Sequence, residues 1–376
     1  MGNDATANGA ALSSTAILPV TAAAPKLPAS MLPKIKIAVL GTGSLGKEHT
    51  RIYAELAKSG RVELSGVFDV SNEAAEKVAQ RHGTRRFRSI AEATENADAF
   101  SIVTPTNTHF QIARDLLCQR KHVLVEKPMT DNAAEAQELV RLSQENKALL
   151  QVGHVERFNP VFDYLQRVAT DPRFIETHRL SPFPARSTDI GVVLDLMIHD
   201  LDLVLAFVKA PLVSFDAVGI PVLSKSEDIA NARLRFENGC VANLTASRIS
   251  PDRMRKIRVF SGGATTSYIS LDYRAQEGFI YRIAREGEAE SSLFKKLLHS
   301  KDSRIVSEFA GRRIVREPVP IAREEPLKME LAHFVECVQQ QQQPKVSGES
   351  AKRALDLALE ITRQIERSKP ADWNPT

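Results

Sequence analysis

Between residues 35 and 152 the chain alternates two rhythms. Short, nearly unbroken apolar runs predict strands at Ile35–Leu40, Val62–Phe68, Ala99–Val103, His122–Val125 and Leu149–Val152, with another short one near Arg86. The stretches between them, Ser44 to Lys58, Glu73–Arg81, Phe110–Gln119 and Asn132–Asn146, carry apolar residues at helical spacing. Strands apolar on both sides belong in a parallel sheet covered by helices on both faces. An α/β, doubly wound domain is therefore expected over 34–153.

Past Gly153 the rhythm changes. Ala230, Ala232, Leu234 and Phe236 alternate with Asn231, Arg233, Arg235 and Glu237, the period of a half-buried strand over Ile229–Phe236. Asn238-Gly239 predicts a type I′ hairpin turn into a returning strand, Val241–Arg248. Ile257–Phe260 and Thr266–Leu271 read as further strands. An α+β domain over 154–368 follows, its open, mainly antiparallel sheet helix-covered on one face and either solvated or an oligomer interface on the other. Helices over Leu327–Gln340 and Ser350–Arg367 close it, around a low-complexity loop, Gln339–Gln343. Residues 1–33, rich in Ala, Thr, Ser and Pro, read as a disordered extension or as sequence upstream of a start at Met31, and 369–376 as a tail. The extension lacks a basic and apolar secretory signal. Gly2 through Thr6 matches a myristoylation pattern, a short match of low specificity.

Composition narrows the function classes. A net charge of +4 over 376 residues, with Lys and Arg scattered, argues against a nucleic-acid partner. Cys118, Cys240 and Cys337 form no metal pattern and suit a reducing, cytoplasmic setting. No apolar stretch approaches the roughly 20 residues of a membrane span, so no membrane partner is expected.

The first strand runs straight into Gly41-Thr42-Gly43-Ser44-Leu45-Gly46. In this G-x-G-x-x-G the glycines serve a tight turn, close backbone approach to a pyrophosphate, and close helix–strand packing. The helix behind them aims its positive end at the phosphates. Asp69 ends the second strand about 20 residues on, where an acid holds a ribose 2′-hydroxyl and repels a 2′-phosphate. A Rossmann domain binding NAD rather than NADP is expected. His49 reads as a helix-start residue rather than a catalyst.

Other candidates sit at strand ends, where ligands bind in this architecture. Glu126-Lys127-Pro128 follows a buried strand, and Lys127 is positioned to donate to a substrate hydroxyl, although a solvated strand-end lysine is common. Thr104, Pro105, Asn107 and His109 follow another strand and suit the nicotinamide half, while helix capping by Thr106 or Asn107 explains much of that segment equally well. Asp195 and His199 are i, i+4 neighbours beside the apolar stripe Leu194, Ile198, Leu201 and Leu205. A carboxylate there orients an imidazole for general-base work; a helix-stabilising pair is the plainer alternative. Arg157 and Asn159 are candidates to face a ligand at the domain junction; Arg179 and Arg186, ahead of the Asp/His helix, suit a phosphate or carboxylate, with surface solvation the alternative.

Taken together, Gly41-x-Gly43-x-x-Gly46-x-x-His49, Thr104–His109, Glu126-Lys127-Pro128 and Gly191-x-x-x-Asp195-x-x-x-His199 resemble the Gfo/Idh/MocA family over about Lys34 to Arg367. The resemblance implies NAD(P)-linked oxidation of a secondary alcohol on a sugar or cyclitol, in a homodimer or homotetramer. It further implies that Lys127 contacts the reacting hydroxyl and that Asp195 and His199 supply the acid/base function. Within the family, Gly153–Pro160 and Arg186–His199 look like nucleotide-sugar dehydrogenases. Inositol or free-sugar dehydrogenases and a redox-silent NAD-binding regulator are the alternatives. No metal is expected.

Overall fold

A computed structural model describes residues 34–183, 190–263, 266–284, 304–309 and 312–368. The expected extension and tail lie outside these residues, as does Arg186. Five parallel strands, β1 (Ile35–Leu40), β2 (Val62–Phe68), β3 (Ala99–Ile102), β4 (His122–Glu126) and β5 (Leu150–Gly153), lie in the order β2-β1-β3-β4-β5. The strand expected near Arg86 is a single bridge to Val67. β1 shows why its run is apolar throughout. Ile37 and Val39 pack with Ile52, Tyr53 and Leu56 of α1 (Ser44–Lys58), whereas Ala38 and Leu40 join the core that holds α4 (Thr106–Cys118) and α5 (Ala133–Asn146). Two helices complete this lobe, α2 (Asn72–His82) and the unanticipated α3 (Ile90–Asn96).

The chain then leaves through a 3₁₀ turn (Val155–Phe158) and α6 (Pro160–Val168). A second sheet follows, containing β6 (Pro172–Leu180), β7 (Leu212–Ile220), β8 (Ile229–Phe236), β9 (Val241–Ser247), β10 (Met254–Ser261), β11 (Ser267–Asp272), β12 (Glu277–Ile283), β13 (Arg304–Phe309) and β14 (Arg312–Pro318). Its described order is β13-β14-β12-β11-β10-β6-β9-β8-β7, antiparallel except where β6 lies parallel to β9. One face packs under helices through Leu234, Leu244, Ile257 and Val259; Val218, Phe260 and Tyr268 stand exposed on the other. The β8–β9 turn corrects the type I′ expectation. Phe236 N–H bonds Cys240 O at 2.9 Å, leaving three loop residues, and only Gly239 takes a positive φ, +80°. That is the three-residue solution, in which one left-handed glycine suffices.

A π-turn (Val193–Met197) leads into α7 (Ile198–Phe207) beneath the second sheet. The last two helices pack differently from one another. In α8 (Pro326–Gln340), Leu331, Phe334, Val335 and Val338 belong to the core that contains Ile37 and Val39. In α9 (Gly348–Ser368), Leu355, Ala358 and Ile361 join the core shared with α7 and the second sheet.

Candidate active site

The glycine turn lies where the strand order reverses, with β2 on one side of β1 and β3 on the other. Gly41 has φ +96°, and a Cβ there would stand 2.3 Å from Val103 O; a Cβ on Gly46 would stand 2.0 Å from Gly41 O. These two glycines are demanded by the fold. Gly43 is different: a Cβ on it would meet nothing within 4 Å. Gly43, Ser44 and Leu45 face open space at the start of α1, whose first turn has no side-chain cap and no acid. The positive helix end is thus free for an anion, so the backbone fits a dinucleotide diphosphate.

Asp69 completes this end. Its Oδ2 accepts from Thr42 N–H at 2.7 Å and from the Thr42 hydroxyl at 2.9 Å, and its Oδ1 accepts from Ser71 N–H at 2.9 Å. Partial burial opposes ionisation, but these bonds outweigh it and hold the carboxyl below its usual range. A carboxylate offers about four acceptor positions, so room remains for a ribose hydroxyl. Thr42 itself is buried and spent on Asp69.

Other residues expected to touch the cofactor turn inward. His109 is buried, its ring nitrogens 3.0 Å from Pro128 O and 2.8 Å from Thr104 O, tying two strand-end loops together. Thr104 Oγ1 accepts from the Thr108 hydroxyl, while Pro105 and Asn107 are exposed. Neither Thr106 nor Asn107 caps α4; Pro105 occupies the cap position. Glu126 is buried over Gly153, where a Cβ would lie 2.7 Å from its carboxylate. His49 is no mere helix-start residue. It is fully buried, 2.8 Å from Ser101 Oγ and 3.2 Å from Glu126 Oε1.

Successive residues at a strand end face opposite ways, so Glu126 points into the first lobe, towards His49, and Lys127 towards Asp195 at the junction. Lys127 Nζ donates to Asp195 O at 2.6 Å and to Asp195 Oδ1 at 3.3 Å. This differs from the expected Asp195–His199 pair. Val193–Met197 winds as a π-turn, so the i, i+4 stacking of an α-helix is lost across it, and Asp195 engages Lys127 instead. His199 Nδ1 is buried and has no hydrogen-bond partner. Burial, then the positive charge of Lys127 and of Arg179, drives the imidazole well below its usual pKa. His154, which drew no attention in the sequence, lies edge-on to His199 with ring centroids 6.1 Å apart. Lys127, Asp195, His154 and His199 therefore share one recess between the lobes.

The remaining candidates are committed inside the protein. Arg157 reaches Asp202 Oδ1 at 3.3 Å and Lys345 O at 3.1 Å. Asn159 caps α6, accepting from Val161 N–H at 3.1 Å, and donates to Glu156 Oε2 at 3.0 Å and Tyr273 O at 3.0 Å. Arg179 forks onto Asp200 at 2.9 and 3.0 Å and reaches Glu156 Oε1 at 3.1 Å. All three are buried and bonded to buried carboxylates. Glu156 and Asp200 were missed; Asp200, an acid inside a largely apolar helix, was an available signal. Glu330 of α8 was missed as well. It is fully buried, and neither carboxyl oxygen has a partner. Burial, with Glu126 and Asp202 nearby, raises its pKa well above the carboxylate range. Among the described residues no group of acids, histidines or cysteines has the makings of a metal site.

Comparison with known proteins places this geometry. Residues 35–154 match the GFO_IDH_MocA "Oxidoreductase family, NAD-binding Rossmann fold", and residues 168–265 match its C-terminal domain. UDP-N-acetylglucosamine 3-dehydrogenase of Acidithiobacillus ferrooxidans is 34% identical over 333 residues, 88% of this chain and 97% of the relative. A solved structure of that A. ferrooxidans enzyme is 33% identical, with a TM-score of 0.78 over 89% of this chain and 99% of that chain. The scyllo-inositol 2-dehydrogenase (NAD(+)) of Bacillus subtilis is 25% identical over 355 residues, 90% of this chain and 96% of the relative.

Proposed function

The chain belongs to the Gfo/Idh/MocA oxidoreductase family, and from that premise we propose that it oxidises a secondary alcohol of a nucleotide sugar, with UDP-N-acetylglucosamine at C3 the first candidate. The observation that carries the reading is the contact of Lys127 with Asp195 across the two lobes, at the carboxyl edge of the glycine-turn sheet, where the Lys127 charge also acts on the His199 ring. The bound nicotinamide supplies the hydride acceptor. His199, kept neutral by burial and by Lys127, takes the hydroxyl proton; its depressed pKa keeps the base form present well below pH 6.5. Lys127, steered by Asp195, stabilises the developing alkoxide as an ammonium donor. The acceptor carboxylate of Asp69 favours NAD over NADP.

The nucleotide part spans 34–153 together with α8, and the substrate part takes up the second sheet with α7 and α9. The exposed Val218, Phe260 and Tyr268 support assembly as a homodimer or homotetramer through the open sheet face. No described helix is long and apolar enough to cross a membrane, which is compatible with a cytoplasmic enzyme.

The test incubates purified protein with NAD and, separately, UDP-N-acetylglucosamine, inositols and free hexoses, following NADH absorbance. Reduction with the nucleotide sugar is expected. Turnover of inositol alone would move the chain beside its inositol-dehydrogenase relatives, and no turnover with any of them would make it a redox-silent NAD-binding protein.

A further inference from the structure

We infer that Arg255 anchors the diphosphate of the substrate, an inference that rests on the nucleotide-sugar reading above. β10 sends Ile257 and Val259 into the core beneath the helices, and Arg255 leaves the strand in the same phase. Across the sheet it is in register with Arg179 of β6. The two arginines contend for one acceptor. Arg179 occupies both oxygens of Asp200 and, at 3.1 Å, Oε1 of Glu156, whose Oε2 is held by Asn159. Arg255 is left with that same Oε1 at 3.4 Å, the one hydrogen bond of its side chain among the described residues. Most of its guanidinium donors therefore have no protein acceptor.

The Arg255 side chain is 53% exposed, so these donors are open to a ligand. Glu156 ties it to the site: the Oε1 it reaches also binds Arg179, which forks onto Asp200, the residue after His199. Partial burial and then Arg179 lower the pKa of Arg255. Arg274, an exposed residue, adds a second positive charge that acts on Arg255. Elsewhere in the junction the cations are matched, Lys127 by Asp195 and Arg157 by Asp202. Arg255 thus carries a charge that its neighbours leave largely unanswered. A neutral polyol would leave it unanswered, whereas a diphosphate accepts a planar guanidinium fork.

The experiment titrates UDP and uridine separately into NAD-loaded wild type, Arg255→Gln and Arg255→Lys by calorimetry, and measures KM and kcat with UDP-N-acetylglucosamine. Loss of the charged fork is expected to weaken UDP roughly 10- to 100-fold, with uridine unaffected. KM should rise in Arg255→Gln by a similar factor rather than kcat falling, and Arg255→Lys should recover part of the loss. Unaltered NAD affinity in both variants shows that they are folded. Equal UDP affinity in wild type and Arg255→Gln overturns the inference even if wild type oxidises the nucleotide sugar. Wild type that neither binds UDP nor oxidises the sugar overturns the proposed function as well.

Discussion

The two ends of the junction are built from different materials. At the glycine turn the ligand is offered backbone: Gly43 open, a bare helix start, and one acid, Asp69, fixed by Thr42 and Ser71. At the other end the groups are side chains, and most of the charged ones are spent on one another, as Arg179 is on Asp200 and Glu156. A backbone site is specified by neighbours in sequence. A side-chain site is specified by partners distant in sequence, 68 residues for Lys127 and Asp195 and 99 for Arg255 and Glu156. Charged residues near a cleft are therefore poor guides to ligand contact until their partners are known.

Four measurements test this contrast. Replacing His199 with Asn should lower kcat roughly 10²- to 10⁴-fold while NAD affinity, read by fluorescence titration, stays near wild type. Unchanged turnover would remove His199 as the base. Arg179→Ala leaves the buried Asp200 without its cation and Glu156 with Arg255 as its one cation, and should cost about 3–5 kcal/mol in urea unfolding. A variant of normal stability with a raised substrate KM would instead return Arg179 to the ligand.

Gly43→Ala should fold with a melting temperature near wild type but bind NAD roughly tenfold more weakly, about 1.4 kcal/mol. Gly46→Ala, whose Cβ would stand 2.0 Å from Gly41 O, should instead fail in stability. If both variants behave alike, the division between fold glycines and ligand glycine is wrong. The smallest effect concerns Glu330. Its folded pKa is raised, so its contribution to stability is complete below the unfolded value near 4.5 and is lost as pH rises through the folded one. Glu330→Gln cannot ionise and should melt higher than wild type at neutral pH, the gap closing as pH falls towards 4.5. A gap independent of pH would mean that the carboxyl carries no buried-charge penalty.

The same contrast explains what could be read from residues alone. β1, the glycines, Asp69 and the alternation of β8 were legible because each is a local pattern. α3 is only seven residues, but Ser89 Oγ accepts from Glu92 N–H at 3.1 Å, a capping pair visible in the sequence and overlooked. β6 was hidden for a deeper reason: two of its buried positions are Thr177 and Arg179, so its inward face does not look apolar. The Asp195–Lys127 pair was unreadable because a π-turn changes the helical phase without leaving a mark in composition.

The seating of α8 against β1 reaches beyond the finished molecule. Leu331, Phe334, Val335 and Val338 fill a trough that the first 153 residues cannot close by themselves. The lobe translated earliest must wait, part of its apolar flank uncovered, until Val338 has cleared the ribosome. Beginning and end of the polypeptide thus mature together, and a fragment cut after Gly153 should come out of cells as aggregate rather than as a free nucleotide-binding module.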